Sequence, residues 1–103
     1  MNSSIVIALP KIDDAKKIRT ILNRHGFSVA AVCSTASTAL ASMSELDGGI
    51  LICGYKLTDR YYQDVLEDIP SYFELLLLAS GRVIAEAPTS VLTVEMPMKV
   101  SDL

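Results

Sequence analysis

Short apolar runs alternate with amphipathic stretches along this chain. Residues 4–9 (SIVIAL) are almost continuously apolar, rich in β-branched side chains and stopped by Pro10. That pattern predicts a strand buried on both faces, and so central in its sheet. From residue 13 to 25 the spacing changes to i, i+3, i+4, i+7 at Ile18, Ile21, Leu22 and His25. Asp13 and Asp14 suit the positive end of a helix and Gly26 the position just past its end, so an amphipathic helix is predicted.

The alternation continues. Residues 27–33 (FSVAAVC) predict a second strand, and any hydroxyl of residues 34–37 could cap a helix that turns Ala36, Ala39, Leu40 and Met43 inward. Asp47, Gly48 and Gly49 predict a turn before a third strand at residues 50–53 (ILIC). A loop over 55–59 and a short helix over 61–69 follow, ended by Pro70. Residues 75–78 (LLLL) are short and bounded by Ser80 and Gly81, which favours a fourth strand; 81–87 allow at most two helical turns. Residues 91–94 (VLTV) predict a fifth strand, broken at Met96-Pro97, and 101–103 read as the first turn of a final helix that is missing or truncated. Strands alternating with helices imply an α/β fold, flavodoxin-like, with a five-stranded parallel sheet and helices on both faces.

Composition narrows the function classes. With 103 residues the chain is expected to be a single domain, 1–103. A net charge of -3, with Lys and Arg scattered and Lys16-Lys17 on a solvated helix, gives no footprint for direct nucleic-acid binding. No apolar stretch reaches the roughly 20 residues of a bilayer span, and the chain enters strand-like sequence at once without a charged leader, so a cytoplasmic protein free of the membrane is expected. Cys33 and Cys53 end apolar runs and are too few for a zinc site, which predicts buried free thiols and no metal.

Three segments, taken in order, carry a resemblance. They are residues 33–40 (CSTASTAL) at the entry to the second helix, residues 55–59 (YKLTD) after the third strand, and residues 96–103 (MPMKVSDL) after the fifth. Together with the strand order they resemble the receiver (CheY-like) domain of bacterial two-component response regulators, over the whole chain up to the last helix. The resemblance implies that two acids at the end of strand one, an aspartate at the end of strand three and a lysine before a cis proline would bind Mg²⁺ and carry the phosphoryl group. Such chemistry needs oxygen ligands for a hard cation, a carboxylate nucleophile and a neutralising cation. Those positions fall here on Leu9 and Pro10, on Gly54 and on Met96, with Pro97 as the cis proline. The aromatic switch position falls on Thr93 and its hydroxyl partner on Ala79 or, one residue on, Ser80. The implied protein is a degenerate, non-phosphorylatable pseudo-receiver without catalytic residues or cofactor. It would be part of a regulator such as the ANTAR type, in which an RNA-binding output domain follows the receiver.

Other readings of single residues stay beside this one. Asp13 and Asp14 could be displaced metal ligands, but acids in a first helical turn need no metal. Asp59 is the nearest carboxylate after Gly54 and could be a relocated phospho-acceptor. Cys53 adjoins the crevice where open α/β sheets bind ligands, yet His25, the only imidazole, lies far along the first helix. Tyr55, Tyr61 and Tyr62 cluster over the site and are read either as packing or as a surface for a partner protein or a small ligand. A missing last helix would uncover one sheet face, and a homodimer through Ile18, Leu22, Val100 and Leu103 is then expected. The competing function is a small ligand-binding or enzymatic flavodoxin-like domain using the crevice at Pro10, Gly54, Tyr55 and Ser80. No glycine-rich phosphate loop follows strand one to support it.

Overall fold

The apolar runs form strands of one parallel sheet. The chain, seen in a computed structural model that describes residues 4–79 and 92–95 (in the latter segment the backbone and the Thr93 side chain), runs β1 (Ser4–Ala8), α1 (Ile12–Arg24), β2 (Val29–Cys33), α2 (Ala36–Ser44), β3 (Gly49–Gly54), α3 (Tyr62–Asp68), β4 (Phe73–Ala79) and β5 (Leu92–Glu95). The strand order is β2-β1-β3-β4-β5, and every neighbouring pair is parallel. After β1 the chain steps to one side for β2 and returns to the other for β3. The carboxyl ends of β1 and β3 therefore flank the switch point of the sheet, where α/β folds place their sites.

The central strands β1, β3 and β4 are largely apolar on both faces because helices cover each face. Val6 and Ala8 of β1, Leu51 and Cys53 of β3, and Phe73, Leu75, Leu77 and Ala79 of β4 pack with Ala36, Ala39 and Met43 of α2 and with Tyr62 and Val65 of α3. The alternate residues Ile5, Ile7, Leu9, Ile52 and Leu78 pack with Ala15, Ile18 and Leu22 of α1. In β2 the alternation is interrupted. Ile5 pairs with Val29 but Val6 with Ala31, a bulge that leaves Ala30 exposed and turns Val29 to the α1 side and Ala31 to the α2 side.

Helix α1 ends as its sequence predicts. Gly26 takes φ +85°, its amide donates to the Asn23 carbonyl at 3.2 Å, and the Phe27 amide donates to Leu22 at 3.0 Å, the two bonds of a Schellman motif. Gly49 answers a different demand. It opens β3 at φ +153° with its amide bonded to the Tyr72 carbonyl, and a Cβ there would fall on the backbone of Ser4, its partner in β1.

Several expectations are corrected. Ile18 and Leu22 are each only 4% exposed and belong to the core under α1, so they are not an uncovered interface: the i, i+3, i+7 row from Ala15 through Ile18 to Leu22 faces the sheet. His25, expected inward, is exposed because α1 has ended one residue earlier. Phe27 is outside β2 and half exposed, since its amide serves the helix cap rather than the sheet. Gly49 belongs to β3 rather than to the turn before it. The segment 81–87, Ser80, Met96, Pro97, Val100 and Leu103, with the expected last helix, lie outside the described residues. Among the described residues no helix is long and apolar enough to cross a membrane.

Two glycine substitutions should separate conformational cost from steric cost. Gly26→Ala, with nothing within 4 Å of the new Cβ, is expected to cost about 1–2 kcal/mol from the left-handed backbone alone. Gly49→Ala must also displace β1 and should cost at least about 3 kcal/mol. Urea unfolding of both variants beside the parent chain measures the order, and equal losses would refute the close approach of β3 to Ser4.

Candidate functional site at the carboxyl ends of the strands

Pairing of Ala8 with Cys33 on one side and Cys53 on the other brings the residues after β1 alongside the ends of β2 and β3. The Leu9 amide donates to the Cys33 carbonyl at 3.1 Å, which turns the Leu9 side chain back into the core, 6% exposed. Gly54, the last residue of β3, is buried beside it. A Cβ on Gly54 would lie 3.1 Å from Leu9 Cδ2 and 3.5 Å from Pro10 Cδ. Hydrocarbon from the end of β1 thus occupies the space in front of β3. Neither Leu9 nor Pro10 offers a side-chain oxygen ligand there.

The loop from β3 to α3 is a small hairpin over this end of the sheet. Lys56 and Tyr61 form an antiparallel bridge, the Tyr62 amide donates to the Tyr55 carbonyl at 3.0 Å, and the Leu57 amide donates to the Arg60 carbonyl at 2.7 Å. Leu57 is driven into the core at 1% exposure. At the apex, Asp59 reaches α2. Its Oδ1 accepts from the Ala36 amide at 2.7 Å, and its Oδ2 accepts from the Ser37 amide at 3.2 Å and the Ser37 hydroxyl at 3.1 Å. Thr58 donates from both its amide (3.3 Å) and its hydroxyl (3.0 Å) to the Ser34 carbonyl. The hydrogen bond from Ala36, with those from Ser37, holds the Asp59 carboxyl below the ordinary aspartate value.

The three tyrosines have different fates. Tyr62, expected at a partner surface, is 2% exposed and part of the core beneath α3, because α3 starts at Tyr62 and turns it inward with Val65. Tyr55 and Tyr61 remain about two-fifths exposed and meet edge to face at 5.3 Å, with Lys56 Nζ 5.3 Å from the centre of the Tyr61 ring. Arg60 is paired with Asp68 at 2.8 Å.

Asp13 and Asp14 sit exposed in the first turn of α1. Among the described residues no three of His, Cys, Asp and Glu gather as a metal site would need. Cys33 and Cys53 are buried free thiols, and burial pushes the Cys53 thiol up to about 12. Cys53 Sγ lies 3.3 Å from the Gly54 carbonyl oxygen, so it is a core residue with little thiolate to offer as a nucleophile. Thr93 is exposed on β5, which pairs it with Leu77 of β4. What sequence reasoning missed is the role of Asp59. The available signal is that residues 26–44 contain no Asp, Glu, Lys or Arg, so the first turn of α2 has no acid of its own.

No protein-family model matches the sequence, and no curated relative does so significantly. Solved structures do match. The anti-anti-sigma factor PhyR from Bartonella quintana superimposes with a TM-score of 0.81 at 16% identity, over 99% of this chain and 44% of that one. A CheY-like response regulator receiver domain from Methylobacillus flagellatus gives 0.81 at 12% identity, over 99% of this chain and 92% of that one. The chemotaxis response regulator CheY4 of Vibrio cholerae gives 0.80 at 12% identity, with the same coverage. The chain has the α/β fold of response-regulator receiver domains, and it spans less than half the length of the Bartonella PhyR.

Burial of Cys53 has a pH consequence. Its folded value is raised above the unfolded one of about 8.5, so its contribution is fully present below that pH and is lost as pH rises toward 12. Stability should fall by up to about 1.4 kcal/mol per pH unit in this window, and Cys53→Ala should remove that part of the slope. Urea midpoints for parent and variant between pH 8 and 10.5 check it, and identical slopes would contradict the assigned burial.

Proposed function

We propose that this chain is a pseudo-receiver: a receiver-fold module of a bacterial cytoplasmic signalling regulator that is not phosphorylated, has no enzymatic activity and acts through protein contacts. The observation that carries this reading is the packing at Gly54. Leu9 and Pro10 close on the position where the receiver resemblance would put the phospho-acceptor, and neither they nor Gly54 offers a carboxylate. The likeness to PhyR, described as an anti-anti-sigma factor, supports a role in transcriptional signalling in which this domain is one part of a longer regulator. A crevice ligand is less favoured, because no glycine-rich phosphate loop follows β1 and the contacts nearest Gly54 are hydrocarbon from Leu9 and Pro10.

Incubation with acetyl phosphate and Mg²⁺, followed by intact mass measurement, is the test. The parent chain should show no phosphoryl adduct. Gly54→Asp should show none either, since the new carboxylate lacks the acids after β1 that would hold the cation, Leu9 and Pro10 standing there. A hydroxylamine-labile gain of one phosphoryl group on the parent chain refutes the proposal.

A further inference from the structure

Helix α2 begins with a problem that its own segment cannot solve. The first amides of a helix have no partner within it. Thr35 caps one of them, its hydroxyl accepting from the Thr38 amide at 3.2 Å. The amides of Ala36 and Ser37 remain, in a stretch that contains no charged residue from 26 to 44. Asp59, at the tip of the β3–α3 hairpin, supplies both acceptors and the negative charge that the helix start favours. Thr58 adds two bonds to Ser34. The base of the same hairpin displays Tyr55, Lys56 and Tyr61, all exposed, with the Tyr55 ring and the Lys56 ammonium both set against the Tyr61 ring.

We propose that Asp59 is a built-in latch: its carboxylate, bonded to the first turn of α2, holds the β3–α3 hairpin closed and so fixes the exposed face formed by Tyr55, Lys56 and Tyr61. In this arrangement a carboxylate already in the chain holds the loop without any added group. Leu57 anchors the hairpin without direction through its burial, whereas Asp59 sets its orientation through three directed bonds, two of them charge-assisted contacts to backbone amides. Loss of the latch should loosen the hairpin alone, since α1 and the sheet face beneath it share no hydrogen bond with Asp59 among the described residues. The proposal leans on the contact-based reading above only for the use of the aromatic face. The latch is tested by loop opening and the pseudo-receiver by phosphorylation, so each fails separately.

Limited trypsin digestion of the whole chain reads the latch at the bond after Lys56, with the bonds after Lys16 and Lys17 in α1 reporting wider opening. Each rate is normalised to the same bond in the urea-unfolded chain, which removes the direct effect of residue 59 on the protease. Asp59→Ala should raise normalised cleavage after Lys56 about tenfold, the scale of a lost charged cap, and leave Lys16 and Lys17 unchanged. Asp59→Asn keeps an acceptor oxygen without the charge and should fall between. Ser37→Ala, which removes one bond, should give a smaller rise and carries the test with Asp59→Asn if the alanine variant does not fold. An unchanged rate at Lys56 across these variants, or a rise matched at Lys16 and Lys17, overturns the latch.

Discussion

Parallel pairing of β3 with β1 sets the geometry on which both the fold and the candidate site depend. The two strands lie in register from Ser4 against Gly49 to Ala8 against Cys53, and each end of β3 is a glycine. At the start the Ser4 backbone occupies the place of a side chain; at the finish the side chains of Leu9 and Pro10 lie against it. A strand fixed at both ends by its neighbour leaves little freedom in where the following hairpin begins. That is why Tyr55, Leu57 and Asp59 can each be assigned a distinct environment within a few residues: surface, core and helix cap.

Much of this was legible in the sequence because it depends on local rules. Continuous apolar runs reported strands covered on both faces, Gly26 reported the end of α1, and the hydroxyl-rich segment reported the start of α2, where Thr35 proves to be the cap. The errors have physical causes too. Periodicity counted His25 as an inward position because spacing alone cannot see that the helix stops at Arg24. The bulge in β2 sets Val29 and Ala31 on opposite faces, which no alternation rule can register. Sequence spacing does not tell an open face from a covered one at Ile18 and Leu22, which α1 turns onto the sheet.

The site was less legible than the fold, since its decisive contacts join residues far apart in sequence. Tyr55, Tyr61 and Tyr62 look equivalent in composition; the hairpin bridge and the start of α3 separate one buried ring from two exposed ones. Asp59 was weighed as a replacement phospho-acceptor because it follows Gly54 closely. Its carboxylate instead meets the start of α2, across 22 and 23 residues of sequence. The absence of charge in residues 26–44 was a visible sign that α2 needed such a partner, but absence does not say which acid provides it.

On the proposed reading, the exchange of acids for hydrocarbon at Leu9, Pro10 and Gly54 has an energetic logic. Clustered carboxylates repel one another and are desolvated when buried, so a phosphorylation site lowers the stability of the fold that carries it unless a cation is bound. Leu9 does the opposite, burying its side chain in the apolar layer under α1. What disappears with the acids is a reversible, phosphoryl-borne charge at the end of β3. What remains is a permanent charge, Asp59, spent on satisfying the amides of α2. Control of the aromatic face then rests on how firmly one carboxylate holds one helix start, a quantity set by hydrogen-bond geometry and not by a phosphate donor.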